Sequence, residues 1–365
     1  MRVLSITPAF FPELGGMEQV VLELAKRVRS HGVKMDVAHV AAGLVLSQDS
    51  VDGVDVYRLP LVGNRFVGWA RSLGALARGY DLLHVHDPQL LALSGNVRWR
   101  CGRVPAVLST HGGFWHTKNN YLFKRAYEAT LLRSYAGHYR RVLASSVGDL
   151  DYFKGFVNRI ALCSNGVAVK RFNTVTANQG RSIFKWIYWG RLSRNKRLDL
   201  AIEYVGHARR LACPVELLIC GKDFDGLLPE LHAQVRRLGL GDAVTFEAYL
   251  DDSDLGVELA QRGVYITASE YEGFGLGIVE AMAAGLIVTC RDMVPVNSFF
   301  VHKESGWLLR FDGTPDDIQA LNELLHITAP KANAMSAAAR AAASVHDWDA
   351  VTPRFVEHYR EVLAE

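Results

Sequence analysis

The feature that most constrains this chain is an alternation. Short apolar, β-branched runs are separated by longer stretches of helical period, and the pattern starts twice. In the first half the runs are RVLSIT (2–7), KMDVAHV (34–40), DLLHVH (81–86) and AVLST (106–110), with a helix expected from about Gly16 to His31. In the second half FKWIYWG (184–190), PVELLICG (214–221), AVTFEAYL (243–250) and GVYITAS (263–269) alternate with helices near Leu198–Leu211, near Leu228–Leu238 and from Gly277 onward. Strands recurring at helix-length intervals require crossover connections, so the expected class is α/β, with doubly wound parallel sheets covered on both faces. Two starts mean two sheets, and 365 residues amount to roughly two domains of about 100–200 residues each. The boundary is placed in the polar stretch NTVTANQ (173–179), giving domains 1–174 and 175–345 and a last helix over 346–365. Open sheets of this kind take ligands outside the carboxyl ends of their strands, so a substrate is expected in a cleft between two sets of strand ends.

Composition narrows the chemistry. A net charge of +3 is too mild to argue for nucleic acid. The five cysteines (Cys101, Cys163, Cys213, Cys220, Cys290) are odd in number and scattered, with no C-x-x-C pair, which favours a reducing compartment. The most apolar window, 273–290, is interrupted by Glu280, and no stretch of about 18 uncharged apolar residues exists. MRVLSITPAF runs straight into a strand without a signal-peptide pattern, so the start is expected to be a mature cytoplasmic one.

Three strand ends carry chemistry. After the first strand, Gly15 and Gly16 open a helix whose amides and dipole suit an anion, or else simply make a glycine-bearing turn. The motif is neither G-x-G-x-x-G nor a P-loop, which disfavours redox chemistry. In WGRLSRNKRLD, Arg191 and Lys196 leave a sheet at its carboxyl edge. The guanidinium fork and the mobile ammonium suit a diphosphate, and a solvated basic loop, as for Arg194 and Arg197, is the alternative. In SEYEGFGLGIVEAMAAGL, Glu272 precedes a loop punctuated by Gly273, Gly275 and Gly277, and Glu280 falls near the first turn of the next helix. Such glycines let amides approach phosphate oxygens closely. The two carboxylates can serve opposite ends of one ligand, although Glu280 alone would read as a helix-dipole carboxylate.

GGMEQVV, HGGFWHT, GRLSRNK and EYEGFGLGIVE, in that order, resemble glycosyltransferase family four, the retaining enzymes of GT-B architecture that use nucleotide-sugar donors. EYEGFGLGIVE reproduces that family's E-x7-E pattern, and the resemblance covers nearly the whole chain. It implies two Rossmann-like domains facing a central cleft, with the last helix crossing back to the N-terminal, acceptor-binding domain. More narrowly, the chain is similar to GDP-mannose-dependent α-mannosyltransferases of bacterial exopolysaccharide assembly, which extend a lipid-diphosphate-linked oligosaccharide. The resemblance implies a catalytic set of His111, Arg191, Lys196 and Glu272, with Arg191 and Lys196 on the diphosphate and Glu272 on the C3/C4 side of the sugar. It places Gly15, Gly16, Gly273, Phe274, Gly275, Leu276 and Glu280 on the donor, Glu280 at the ribose, and His116 at acceptor or sugar. ICGKDFDG and Ala248 in FEAYL depart from the family at the base pocket and leave the base open.

Further expectations follow. Asp223-Phe224-Asp225 imitates a metal-binding DxD, yet Asp149-Leu150-Asp151 does so equally. With two cations for the leaving group, no metal or other cofactor is expected. His84 and His86 are expected to divide between the two faces of their strand, one packed on the sheet rather than ligating zinc. Lys118, Lys124, Arg125, Arg133, Arg140 and Arg141 against one acid, Glu128, suggest a basic amphipathic helix on an anionic membrane surface, or a core-facing helix with a solvated basic face. The partners expected are a nucleotide-sugar and a glycan or polyprenyl-diphosphate-linked oligosaccharide, without nucleic acid, and the location is cytoplasmic or peripheral at the inner face of the plasma membrane. Competing readings are another donor such as UDP-glucose, a nucleotide-sugar epimerase of the same architecture, or a non-catalytic carbohydrate-binding relic.

Overall fold

The computed structural model describes residues 1–12, 15–41, 45–63, 68–86, 91–112, 125–172 and 181–365. It divides into two compact units: Met1–Gly166 together with Trp348–Glu365, and Val167–Asp347. This division falls at Gly166–Val167, ahead of the polar stretch at 173–179, which lies outside the described residues.

In the first unit, strands β1 (Arg2–Thr7), β2 (Lys34–Ala41), β4 (Val54–Val62), β6 (Leu82–His86), β7 (Ala106–Ser109), β8 (Arg141–Ala144) and β9 (Ile160–Leu162) run parallel. Two short strands, β3 (Ser47–Val51) and β5 (Trp69–Ala70), add antiparallel to β4. The main order is β3-β4-β2-β1-β6-β7-β8-β9, so the winding reverses between β1 and β6. Central strands show the near-continuous apolar burial of a sheet covered on both faces: β1 reads exposed, then five buried residues.

The second unit is a six-stranded, all-parallel sheet of β10 (Ser182–Trp189), β11 (Glu216–Cys220), β12 (Val244–Glu247), β13 (Arg262–Thr267), β14 (Ile287–Cys290) and β15 (Trp307–Leu308). Its order is β12-β11-β10-β13-β14-β15, reversing between β10 and β13. Helices Leu198–Arg210, Leu228–Arg237 and Leu276–Ala283 occupy the crossovers. Their buried residues, such as Leu198, Ala201, Ile202 and Val205, recur at helical spacing and face the sheet core around Trp186, Ile187 and Ile266.

The last helix, Trp348–Ala364, packs within the first unit. Its Phe355 and Tyr359 are buried, and Tyr359 donates to or accepts from His84 Nδ1 at 2.7 Å. Arg141 pairs with Glu361 and, at 3.2 Å, with Glu365. That uses one of the six cations of the 118–141 segment inside the fold. Residues 118–124 lie outside the described residues. Beyond them, a π-helical turn Glu128–Leu132 leads into the short helix Arg133–Ala136. Tyr135 and Tyr139 are buried, Tyr139 on Ser94 Oγ at 2.9 Å, while Arg125, Arg133 and Arg140 are exposed. The aromatic side of this segment is therefore spent on the core. Among the described residues no helix is long and apolar enough to cross a membrane.

At the carboxyl ends of β10 and β11 the backbones of Gly190 and Gly221 nearly touch. Gly221 has φ +149°, and a Cβ built there would lie 1.7 Å from the Gly190 carbonyl oxygen. No side chain fits without parting the two strand ends. Gly221→Ala is expected to cost at least about 1–3 kcal/mol, read as a lower unfolding midpoint; an unchanged midpoint would contradict this close approach.

Candidate functional site

Two loops leave the second sheet at its point of reversal, the place where open α/β sheets characteristically bind ligands at the carboxyl ends of their strands. One follows β10 and carries Arg191 to Arg197; the other follows β13 and carries Ser269 to Gly275. They are stitched together. Glu270 N–H donates to the Asn195 carbonyl at 2.8 Å, and Asn195 Nδ2 donates to the Tyr271 carbonyl at 3.2 Å. Lys196 Nζ then reaches both carboxylate oxygens of Glu272, at 2.7 and 2.8 Å, with the Glu272 side chain 10% exposed. A charge-assisted bidentate contact in this half-dry setting fixes the ammonium in place.

Arg191 begins the same turn and is exposed, its guanidinium 5.3 Å above the Phe224 ring, and its carbonyl accepts from the Tyr188 hydroxyl at 2.9 Å. Arg194 pairs with Glu230 and Arg197 with Asp199 and Glu270, so these two are ion-paired surface cations. Gly275, at φ +93°, is the N-cap of the helix Leu276–Ala283, a left-handed position that suits glycine. Glu280 is in that helix's second turn, one turn later than the sequence suggests, and accepts from the Trp189 indole N–H at 3.1 Å. The Phe274 ring turns away from the loop into the core against Phe299 and His346, at 5.2 and 5.5 Å. Of the expected donor contacts, Phe274 is thus a packing side chain, and Leu276 is half-buried against the same core.

The first unit contributes its own strand ends. Gly15 is the N-cap of the helix Gly16–Arg27, and its N–H is donated to Glu18 Oε2 at 2.9 Å. His111 follows β7, and its Nε2 lies 2.9 Å from Nδ1 of His86, the last residue of β6. His84 and His86 share one face, with ring centroids 4.0 Å apart. The expectation that they divide between faces was wrong in parity, because successive side chains alternate and residues two apart coincide. His84 spends both nitrogens, on Ser109 and Tyr359, each at 2.7 Å, so it is a structural histidine. His116 lies outside the described residues.

Neither D-x-D triplet is an open pair of carboxylates. Asp223 accepts from the Leu227 and Leu228 amides, and Asp225 from the Arg194 amide. Asp149 is buried and accepts from Thr110 Oγ1, from Gly112 N–H at 3.1 Å and from Ser145 Oγ at 2.9 Å. It therefore grips the residues on either side of His111. Sequence reading named Asp149 only as a D-x-D look-alike and His86 only as a strand histidine, without their contacts to the residues around His111, and it missed Asn195, which nothing local marked. Among the described residues no group of three or more His, Cys, Asp or Glu is arranged to hold a metal ion.

Two Rossmann-like parallel-sheet units, each with basic or imidazole side chains and glycine-opened helices at its carboxyl strand ends, define the GT-B class. Residues 14–171 match the model of Glycosyltransferase Family 4, and residues 178–342 that of Glycosyl transferases group 1. The chain belongs to this glycosyltransferase family. It is 30% identical to the GDP-mannose:cellobiosyl-diphosphopolyprenol alpha-mannosyltransferase of Xanthomonas campestris, covering 100% of this chain and 97% of that protein. The enzyme of the same name from Komagataeibacter xylinus is 27% identical, over 100% and 94%. Among solved structures, the HepE protein of Anabaena in complex with UDP superposes with a TM-score of 0.78 at 19% identity, over 99% of this chain and 100% of that one, a likeness of fold.

Burial sets the protonation of the first unit's histidines. It pushes His84 down to about 3, His111 to about 4, and His86 well below the usual imidazole value. His39 is lowered by burial and then by Arg58. All four are neutral in the folded chain at neutral pH, whereas in the unfolded chain they titrate near 6.5. Unfolding then takes up protons, so their contribution is fully present above about 6.5 and is lost as pH falls toward 4. Denaturant titrations of the whole chain should show a midpoint that is flat from about pH 7 to 8 and drops between about 6.5 and 4; a midpoint that rises over that interval would refute neutral burial.

Proposed function

We propose that this chain transfers mannose, with retention at the anomeric carbon, from GDP-mannose to a hydroxyl of a polyprenyl-diphosphate-linked oligosaccharide. What carries the reading is the end-to-end kinship, at 27–30% identity, with enzymes named for that donor and that acceptor. The site supports the chemistry. Breaking the bond between sugar and diphosphate leaves positive charge on the ring and negative charge on the departing oxygens. In this reading Lys196, which Glu272 holds, and Arg191, above the Phe224 ring, neutralise that negative charge as it develops. Glu272 takes the sugar hydroxyls. Glu280 takes the ribose, and the backbone at Gly273 and Gly275 takes phosphate oxygens. His111 stands at the reacting sugar.

Retention then follows one of two courses: the leaving phosphate oxygen accepts the acceptor's proton on the same face, or Glu272 attacks and is displaced. The first requires no carboxylate nucleophile, and it fits a Glu272 whose two oxygens are both bonded to Lys196. We take it as the working mechanism. Glu272→Gln should keep retaining turnover above background under this course and abolish it under the other. Removing one preorganised donor at the leaving oxygen typically costs about 10²–10³ in rate. Lys196→Ala and Arg191→Ala are each expected to lower kcat by about that factor while the unfolding transition stays cooperative; near-normal turnover in both would remove the basis of the assignment. Donor identity is read by release of GDP from GDP-mannose in the presence of lipid-linked acceptor, against UDP-glucose as control.

Because cationic side chains stand where a divalent ion would otherwise neutralise the diphosphate, we propose that turnover needs no metal. Activity is expected to survive dialysis against EDTA, and loss that Mg²⁺ or Mn²⁺ restores would overturn this part.

A further inference from the structure

Of the side chains around the proposed site, His86 is the one whose chemistry no role yet explains. It is buried to 1% exposure, ends β6, and meets His111 through Nδ1 at 2.9 Å. Its other nitrogen, Nε2, is buried and has no hydrogen-bond partner among the described residues. An imidazole pair joined by one hydrogen bond has two arrangements. If His111 Nε2–H donates, then His86 must carry its own proton on Nε2, leaving an N–H group orphaned in the interior. If His86 Nδ1–H donates, the orphan is a bare lone pair. Orphaned buried N–H groups are the rarer and costlier case, so the second arrangement prevails. His111 then accepts at Nε2 and carries its proton on Nδ1, a nitrogen no described residue takes up.

We infer that His86 is a positioning residue that holds His111 as the neutral Nδ1–H tautomer, so that His111 meets its ligand as a hydrogen-bond donor and not as a proton acceptor. Three further contacts hold the ring in that pose. His86 and His111 stack with centroids 5.2 Å apart at 27°, the His84 ring lies tilted at 38° against His86 with centroids 4.0 Å apart, and Asp149 grips Thr110 Oγ1 and Gly112 N–H on either side of His111. Among the described residues the titratable groups next to the pair are His84 on β6 and Asp149 on the helix Val147–Lys154, and His84 is itself neutral by burial. A donor N–H on a neutral ring suits a hydroxyl or phosphate oxygen. It does not suit general-base work, in which the ring would have to present a lone pair to the acceptor.

This inference takes the placement of His111 at the reacting sugar from the proposed function, and its test separates the two. The full chain, labelled with ¹⁵N-histidine, is examined by long-range ¹H–¹⁵N correlation from about pH 5 to 8, with the His111 signal assigned through His111→Ala. The expected pattern is a protonated Nδ1 and a bare Nε2 throughout that range. A protonated Nε2, an even mixture of tautomers, or an imidazolium at neutral pH would overturn the inference, with no substrate involved. In His86→Leu the tautomer lock is expected to be lost and kcat to fall about 10–100-fold, as for other partners that fix a histidine's tautomer, with KM for the donor little changed. His86→Asn, which returns an amide donor near the Nδ1 position, should rescue both the tautomer and most of kcat. If His86→Asn behaves as His86→Leu while both remain folded, the donor role of His86 is refuted. A normal kcat in His111→Ala beside the expected tautomer leaves the inference standing and overturns the placement of His111 at the sugar.

Discussion

A parallel sheet can be extended on both sides of its first strand only by reversing the direction in which the chain winds. Right-handed crossovers then put the helices on opposite faces on either side of that strand, and the loops at the reversal part from one another. In the second unit this happens between β10 and β13. The loops bearing Lys196 and Glu272 stand there for that reason, and they meet because β10 and β13 are hydrogen-bonded neighbours. The pairing of Trp186 with Val264 and of Ile187 with Tyr265 sets how far each loop projects, and thereby sets the reach of the ammonium to the carboxylate. A cation–anion pair of this kind is dearly solvated when apart, and in half-buried surroundings it holds only where geometry is good. Asn195 supplies that geometry by tying the two loop backbones together.

The first unit repeats the device with different chemistry. Its winding reverses between β1 and β6, next to the helix Gly16–Arg27, and His111 emerges one strand further on. Where the second unit offers charges, the first offers neutral imidazoles whose burial keeps protons off them. The two units thus differ in the kind of polar group that their strand ends present. Much of the first unit's fold is committed to one histidine. Its ring is braced by His86, its flanking residues by Asp149, and His84 behind the pair by Tyr359 of the last helix.

How far the sequence showed this depends on which residues are asked. Strand and helix positions were legible because a doubly covered parallel sheet writes apolar runs with few interruptions; β1, β10 and β13 lie within a residue or two of where periodicity puts them. The strands β3 and β5 were not, since SQDSV is polar and exposed and WA is only two residues long. Arg191, Lys196 and Glu272 were legible as residue types after strand ends and Glu280 as one in the following helix, but their contacts were not. Nothing in E-G-F-G says that Phe274 folds into the core while Glu272 turns to Lys196, because side-chain direction after a glycine follows from tertiary packing and from no local period. Asp149 shows the same limit in reverse. In sequence it is half of a chance D-x-D, and only the register of β7 beside β8 brings it to Thr110 and Gly112.

The helix Leu276–Ala283 shows how so short an element can be held in a fixed direction. Eight residues make little more than two turns, too few for a helix to hold its direction by propensity alone. Its far end is pinned instead: Arg181 donates to the Gly285 and Ala284 carbonyls, Arg340 to those of Ala283 and Ala284, and Ser336 Oγ to Gly285. These donors satisfy the carbonyls a helix leaves open at its C-terminus, and two guanidiniums there complement the negative end of the dipole. Bringing two like charges together in a half-buried place is costly, and burial and mutual repulsion do lower the proton affinity of Arg181. The arrangement is sustained because each guanidinium faces carbonyl oxygens. With its C-terminus so held, the helix keeps its N-terminal amides beside Gly275 in one place.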